Sequence, residues 1–296
     1  MYQLDQKESI RQGMRRVAGE ELQRAHDLLQ RAHHPAQAAI HEARKSLKKA
    51  QAICERIRAD GGRGTGGCRR RLRRIKRALA PFRDADVMLE TLSALRRRRP
   101  RPLGQHAYAQ IRRRLLRHKQ AVLTAMSHRS TWKTVLHDLS RVRHRSERWH
   151  SAHRNFRALS SGIRITYREG QAAMTRARKR GLAADFHVWR TRIKALWYEL
   201  RLLSTAGRSI RKDMAALHRA ETWLGEDHNV TVLRAELSKD AVTRHVRGRV
   251  REVADDYQAD LRKKALARLH DLYSHSAGDF VRDLKRAWRK WQRPYH

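Results

Sequence analysis

The sequence predicts an all-α fold: two tandem, pseudo-symmetric helical bundles enclosing a basic groove. Three observations carry that expectation. Stretches rich in Ala, Leu, Arg and Glu run between the prolines with apolar residues at helical period, while β-branched runs and hairpin signals are scarce. An apolar content of 40% beside 33% charged residues suits packed amphipathic helices and is too apolar for a disordered basic tail. The pattern His-x-x-Arg-x-x-x-Lys occurs twice, from His41 and again from His187.

The elements follow in order. A first helix covers 7–32 and stops before Pro35, which has no N–H with which to continue it. The next, 36–58, places Leu47, Ala50, Ile53, Cys54 and Ile57 on one face. A glycine-rich loop, 61–67, leads into 66–80, which ends at Pro81. Helices 85–98, 103–127 and 131–144 complete the first half, with Pro100 and Pro102 breaking the chain between the first two. The segment 141–153 is polar, lacks a clear apolar stripe and joins the halves, so the expected units are 1–150 and 151–296. Helices in the second are 155–179, 184–205, 209–224, 228–240, 243–272 and 276–293, the last bounded by Pro294. Asp84 and Asp227 sit where a carboxylate would N-cap the helix that follows.

Offsets 0, +3 and +7 share one helix face at about 100° per residue. His41, Arg44 and Lys48 therefore form one stripe, and His187, Arg190 and Lys194 another. Each stripe spans roughly 10 Å at about 1.5 Å per residue, a length better suited to a chain of phosphates than to one small anion. Ile193, Leu196, Leu200 and Leu203 point away from the second stripe, as Leu47 and its neighbours do from the first. Lys45, Lys49, Arg192, Tyr198 and Arg201 would extend the track, and Arg73, Arg77 and Arg83 would line it from neighbouring helices.

The repetition reaches further. Asp84-Ala85-Asp86-Val87 follows the first stripe and Asp227-His228-Asn229-Val230 the second. The histidines are offset by 146 residues and the aspartates by 143, a difference absorbed by the longer glycine-rich loop of the first copy. The paired His-x-x-Arg-x-x-x-Lys helices resemble the signature of the CHAD domain, the conserved histidine α-helical domain. Leu79-Ala80-Pro81-Phe82-Arg83-Asp84-Ala85-Asp86-Val87 is similar to that family's Leu-Gly-x-x-Arg-Asp-x-Asp-Val stretch, with Ala80 where the family has Gly. Leu224-Gly225-Glu226-Asp227-His228-Asn229-Val230 resembles its counterpart in the second repeat. The resemblance covers nearly the whole chain and makes the two halves one CHAD domain. It implies an all-helical protein that binds inorganic polyphosphate on basic residues of both copies.

Charge points the same way independently. Lys and Arg number 69 against 29 Asp and Glu, giving +40 and a pI near 11.6, which selects a polyanionic partner without naming it. Arginine runs such as Arg69-Arg70-Arg71 and Arg112-Arg113-Arg114 supply forked donors that match phosphate oxygens. Phosphate-loop and nucleophile-elbow signatures are absent, and the loop 61–67 lacks the Lys-Ser/Thr ending of a phosphate loop. Cys54 and Cys68 make no disulfide framework and read as free buried thiols. The histidine pairs His33-His34, His137 with His144, and His150 with His153 lack zinc-type spacing to a carboxylate, so no metal and no cofactor is expected. Neither a signal-peptide core nor an 18-residue apolar run occurs, so no membrane partner is expected.

The expected protein is therefore non-enzymatic, cytoplasmic, associated with polyphosphate granules, and weakly attracted to nucleic acid by net charge. A basic helical RNA- or DNA-binding protein and a phosphoanhydride-processing enzyme are the alternatives. In the second, Asp84, Asp86 and Asp227 would hold Mg²⁺.

Overall fold

The apolar stripe of each motif helix becomes a buried face. In the computed structural model, described for residues 2–30, 37–99, 101, 103–126, 129–238 and 244–293, Leu47, Ala50, Ile53, Cys54 and Ile57 are all buried, as are Ile193, Leu196, Leu200 and Leu203. The described residues form α1 (Ile10–Gln30), α2 (Gln37–Ala59), α3 (Cys68–Ala78), α4 (Ala80–Arg98), α5 (Gln105–Met126) and α6 (Arg129–Ser146). After these come α7 (Arg157–Arg180), α8 (Ala183–Leu202), a 3-10 turn at Ser204–Ala206, α9 (Arg208–Ser238), α10 (Arg244–Leu269) and α11 (Ala277–Gln292). No strand occurs among them; the β pairing is one isolated bridge, Arg63 to His150.

Helix α9 departs from the sequence expectation. Separate helices at 209–224 and 228–240 are one continuous helix, and Gly225 is no stop. A Cβ at Gly225 would lie 3.3 Å from Arg190 Nη2, so this glycine gives the guanidinium room to approach the helix. Nor do the two aspartates cap helices. Asp227 lies inside α9, where Oδ1 accepts from Gln258 Nε2 at 2.9 Å and Arg262 Nε at 2.8 Å, tying α9 to α10. Asp84 lies within α4, whose N-cap is Leu79 with no side-chain cap bond. The break between α3 and α4 persists because Pro81 occupies the first turn of α4.

Two cores organise the packing. Helices α1 and α2 pair, as do α7 and α8, while α6 closes on α1 and α3, and α11 on α7. The main core runs from Tyr2 to Trp288 and includes Trp149, Tyr167 and Trp189, so it draws on both halves. The second joins Leu92, Leu95 and Ile111 of α4 and α5 to Val230, Leu233 and Val253 of α9 and α10.

The segment 141–153, polar and without an apolar stripe in the sequence, is nonetheless anchored in the fold. α6 runs through Ser146 and Trp149 is buried. The glycine-rich loop grips this segment: Arg63 N donates to His150 O at 2.8 Å and His150 N to Arg63 O at 3.1 Å. Side chains at 62 and 64 would collide with it, since their Cβ atoms would fall 2.3 Å from His150 O and 2.0 Å from Arg148 O. Asp60 completes the clasp, accepting from Ser151 Oγ and from the His153 backbone and ring nitrogens at 3.0 and 2.7 Å. These glycines therefore serve a chain crossing.

Across the α2–α8 contact, Arg56 Nη2 pairs with Glu199, which also accepts from Thr166 Oγ1 at 3.1 Å. Both charged side chains are buried. The guanidinium lies over Gly162 of α7, where an added Cβ would sit 0.6 Å from Nη1. Gly162→Ala should expel Arg56 and strand the Glu199 carboxylate. Urea unfolding should then report a loss of about 3–5 kcal/mol, the usual cost of breaking a buried pair from one side. A loss below 1 kcal/mol would show that Arg56 reaches an equivalent position elsewhere.

Candidate functional site

Helices α2 and α8 lie in contact, and their basic stripes meet at the lysines. Lys48 marks the meeting point. Burial pushes its ammonium down to about 7, helped by Lys194, Arg44 and Arg190 and opposed by Glu221. Cations of both motif helices therefore act on one amine. Lys76 of α3 joins them: burial lowers it, Arg44, Arg73 and Lys194 lower it further, and Glu55 opposes. Arg44 is lowered by burial too, against the attraction of Asp84, and donates through Nη1 to the Lys76 carbonyl at 3.1 Å.

The second stripe packs against α9 in antiparallel register. The His187 ring lies against His228 with centroids 4.1 Å apart and planes tilted by 35°, and Trp197 stacks on His218 at 4.9 Å and 10°. Between these ring pairs, Arg190 Nη2 and Lys194 Nζ both donate to Glu221 Oε1, at 2.9 and 2.6 Å. Burial alone would raise the Glu221 carboxyl. Lys194, Arg190 and Lys48 outweigh it and hold the group below the ordinary carboxylate range. Burial lowers His187, with Arg190 adding to the shift, and brings His228 down to about 4 with help from His187 and Arg190.

At the other end, His41 and Arg83 line a cleft with Ala38, Asp86, Leu89 and Glu90. Burial lowers His41, and the charge of Arg83 adds to it. Arg83 is clamped by Glu90 through both terminal nitrogens, at 3.1 and 3.2 Å, and Asp86 by Lys119 at 2.9 Å.

His41, Arg44, Lys48, Arg190 and Lys194 thus lie along one connected face, with His187 at its far end. Other expected track residues are turned to other contacts. Lys45 pairs with Glu42 at 2.9 Å on the exposed side of α2. Lys49 reaches Glu21 at 2.6 Å and lies beside the Tyr2 ring. Arg192 pairs with Glu169 of α7 at 3.0 Å. Helix geometry accounts for Arg192, two residues and about 200° past Arg190, and for Lys49, about 100° past Lys48, whereas Lys45, four residues past His41, stays at the edge of the stripe and acts on that imidazole. Tyr198 is buried against Tyr2 and Trp197, and burial raises its phenol; Arg201 covers the Tyr2 and Trp197 rings. Arg73 and Arg77 stand exposed on α3, Arg73 within reach of Lys76. Sequence reasoning missed Glu221, Lys76, His218 and His228. Offsets of three, seven and ten residues from His218 place Glu221, Gly225 and His228 on one face of α9, the face that meets the second stripe once helix register is known.

Among the described residues no three His, Cys, Asp or Glu side chains gather as a metal site. His153 meets Asp60 instead, and His33-His34 lie outside the described residues. Cys54 and Cys68 are free and buried. No described helix is long and apolar enough to cross a membrane.

The profile of the CHAD domain matches residues 18–238, a span that contains both motif helices. The chain belongs to the CHAD-domain family. Its structure is similar to the crystal structure of the CHAD domain from the plant Ricinus communis, with a TM-score of 0.61, 17% identity, and coverage of 96% of this chain and 94% of that one. It is also similar to PptA from Streptomyces chartreusis, with a TM-score of 0.58, 15% identity, and coverage of 92% and 98%. At such identities the likeness concerns the fold. No match is found among curated protein sequences. The described parts of α10 and α11 lie beyond the matched span and extend the CHAD core with Ala265, Leu269, Phe280 and Trp288.

Crowding of like charges gives a stability prediction. The folded pKa of Lys48, about 7, lies below the free-lysine value of about 10.4. Carrying that proton therefore destabilises the folded state at and below neutrality, and wild-type stability rises as pH climbs between the two values. Lys48→Met keeps the unbranched stem without the charge. It should raise the Tm of the ligand-free CHAD protein near neutral pH, by a margin that shrinks toward alkaline pH. Calorimetry across that window checks it, and a margin constant with pH would place the buried charge elsewhere.

Proposed function

We propose that this CHAD protein binds inorganic polyphosphate, without catalysis, in the groove where its two His-x-x-Arg-x-x-x-Lys helices meet. One observation carries the reading: Arg44, Lys48, Lys76, Arg190 and Lys194 share a half-buried cluster in which Glu221 is the one hydrogen-bonded carboxylate among the described residues. Such a cluster is costly without an anion and favourable with a polyvalent one. Membership of the CHAD family supports the choice of polyphosphate. His41 and His187 would donate at the outer ends of the stripes, with Arg73, Arg77 and Arg83 flanking. The halves 1–150 and 151–296 are read as two copies of one unit, since α1–α2 pair as α7–α8 do, and α4–α5 as α9–α10 do. Residence on polyphosphate granules would follow from such binding.

The non-catalytic part rests on how the acids are spent. Asp227 is bound to Arg262, Asp86 to Lys119 and Glu221 to two cations, so of these acids and Asp84 only Asp84 makes no hydrogen bond or ion pair among the described residues. No cofactor is required for this role.

Calorimetric titration with long-chain polyphosphate should give log affinity falling by about 0.7 per phosphate contact per decade of salt. Arg44→Ala with Lys48→Ala should weaken binding roughly tenfold to hundredfold, as should Arg190→Ala with Lys194→Ala, from charge-assisted bonds lost. Salt-independent affinity, or near wild-type binding by both pairs with intact circular dichroism, would reject the groove. Equal displacement by single-stranded RNA of matched charge would favour the nucleic-acid reading, and phosphate released with Mg²⁺ the enzymatic one.

Bound phosphate should also draw protons onto His41 and His187, so affinity should rise as pH falls through the imidazole range. Lys48, and His228 beneath His187, titrate in the same field. The variant carrying His41→Gln and His187→Gln should therefore show a shallower pH slope; an unchanged slope would make both histidines structural.

A further inference from the structure

The two stripes are not equally available in the ligand-free protein. On α8, Arg190 and Lys194 are both bound to Glu221 Oε1. On α2, Arg44 donates to a neutral carbonyl, and among the described residues no carboxylate hydrogen-bonds to Arg44 or Lys48. Asp84 lies within their field but is exposed and makes no hydrogen bond there. The sequence explains the difference. Counting 143 residues back from Glu221, the offset that relates Asp227 to Asp84, gives Ala78, which carries no acid.

We infer that Glu221 is an internal anion that occupies the α8 stripe at rest, so that phosphate docks first on the α2 stripe and reaches Arg190 and Lys194 only by displacing it. The inference rests on the polyphosphate reading. Two charge-assisted bonds hold Glu221 in place. A short polyphosphate, fitting one stripe, gains more at the open α2 stripe than at the occupied one. A long chain anchored on α2 presents its next phosphates to α8 intramolecularly, at high effective concentration, and this drives the exchange. The carboxylate stays with α9 and is relieved of its two partners, while the ligand oxygens take them up.

Calorimetry with sodium tripolyphosphate separates the stripes. Wild type should bind one equivalent. Arg44→Ala with Lys48→Ala should abolish that binding, and Arg190→Ala with Lys194→Ala should leave it. Glu221→Gln, which keeps shape and an acceptor oxygen but removes the charge, should open a second equivalent. The same variant should tighten long-chain binding by about tenfold, the order of one charge-assisted bond no longer exchanged. Two equivalents in wild type, equal losses from the two pairs, or no second equivalent in Glu221→Gln would each overturn the inference, while long-chain binding leaves the polyphosphate reading intact. No binding of either polyphosphate by wild type would remove both. Circular dichroism accompanies every variant; should Glu221→Gln lose helix, the contrast between the two pairs decides alone.

Discussion

Repulsion among Arg44, Lys48, Lys76, Arg190 and Lys194 is the force against which the rest of the molecule is arranged. Removed from water, cations cost several kcal/mol each unless paired, and among the described residues Glu221 is the one buried carboxylate hydrogen-bonded to the cluster. Attraction is placed nearby to hold the same helices together. Two turns beyond Lys48 on α2, Arg56 crosses to Glu199 of α8. The α2–α8 contact is thus repulsive at one end and attractive at the other, and the apolar faces behind both helices keep it closed. The charge crowded around Lys48 thus works against the same helix contact that Arg56 and Glu199 hold together.

Helix α9 is the back wall of this arrangement. Four positions on one of its faces meet four on α8: His218 with Trp197, Glu221 with Lys194, Gly225 with Arg190 and His228 with His187. Ring pairs at both ends, one stacked and one tilted, fix the register, and the polar pairs lie between them. The first stripe has no wall of this kind. There α3 and α4 meet at a break, and what faces Arg44 is a main-chain carbonyl and the unpaired carboxylate of Asp84. This asymmetry makes the two motif helices chemically distinct.

The fold class and the phase of both stripes were legible because they depend on period alone. Leu47 and Ile193 had to face inward if His41 and His187 faced out. What depends on contact between distant segments was not legible. Gly225 followed by Asp227 reads as a helix stop, yet the glycine answers to Arg190 and the aspartate to Arg262. Glu221 stands outside both motifs, and its role exists only in the α8–α9 register. Lys49 and Arg192 were drawn into the track by proximity in sequence, although they lie one and two residues past Lys48 and Arg190 and turn to Glu21 and Glu169. Trp149 sits in a stretch with no apolar period and is buried because Gly62 and Gly64 let another segment approach it.

The length of α9 has a further consequence. At about 1.5 Å per residue, its 31 residues make a rod of about 46 Å. Leu217, Ala220 and Leu224 on this rod enter the main core, and Val230, Leu233 and Leu237 enter the second. One rod thus carries Glu221 beside Arg190 and Lys194 and, farther along, the apolar side chains that close the second core, so the charge cluster and the packing of α4, α5 and α10 share a single helix.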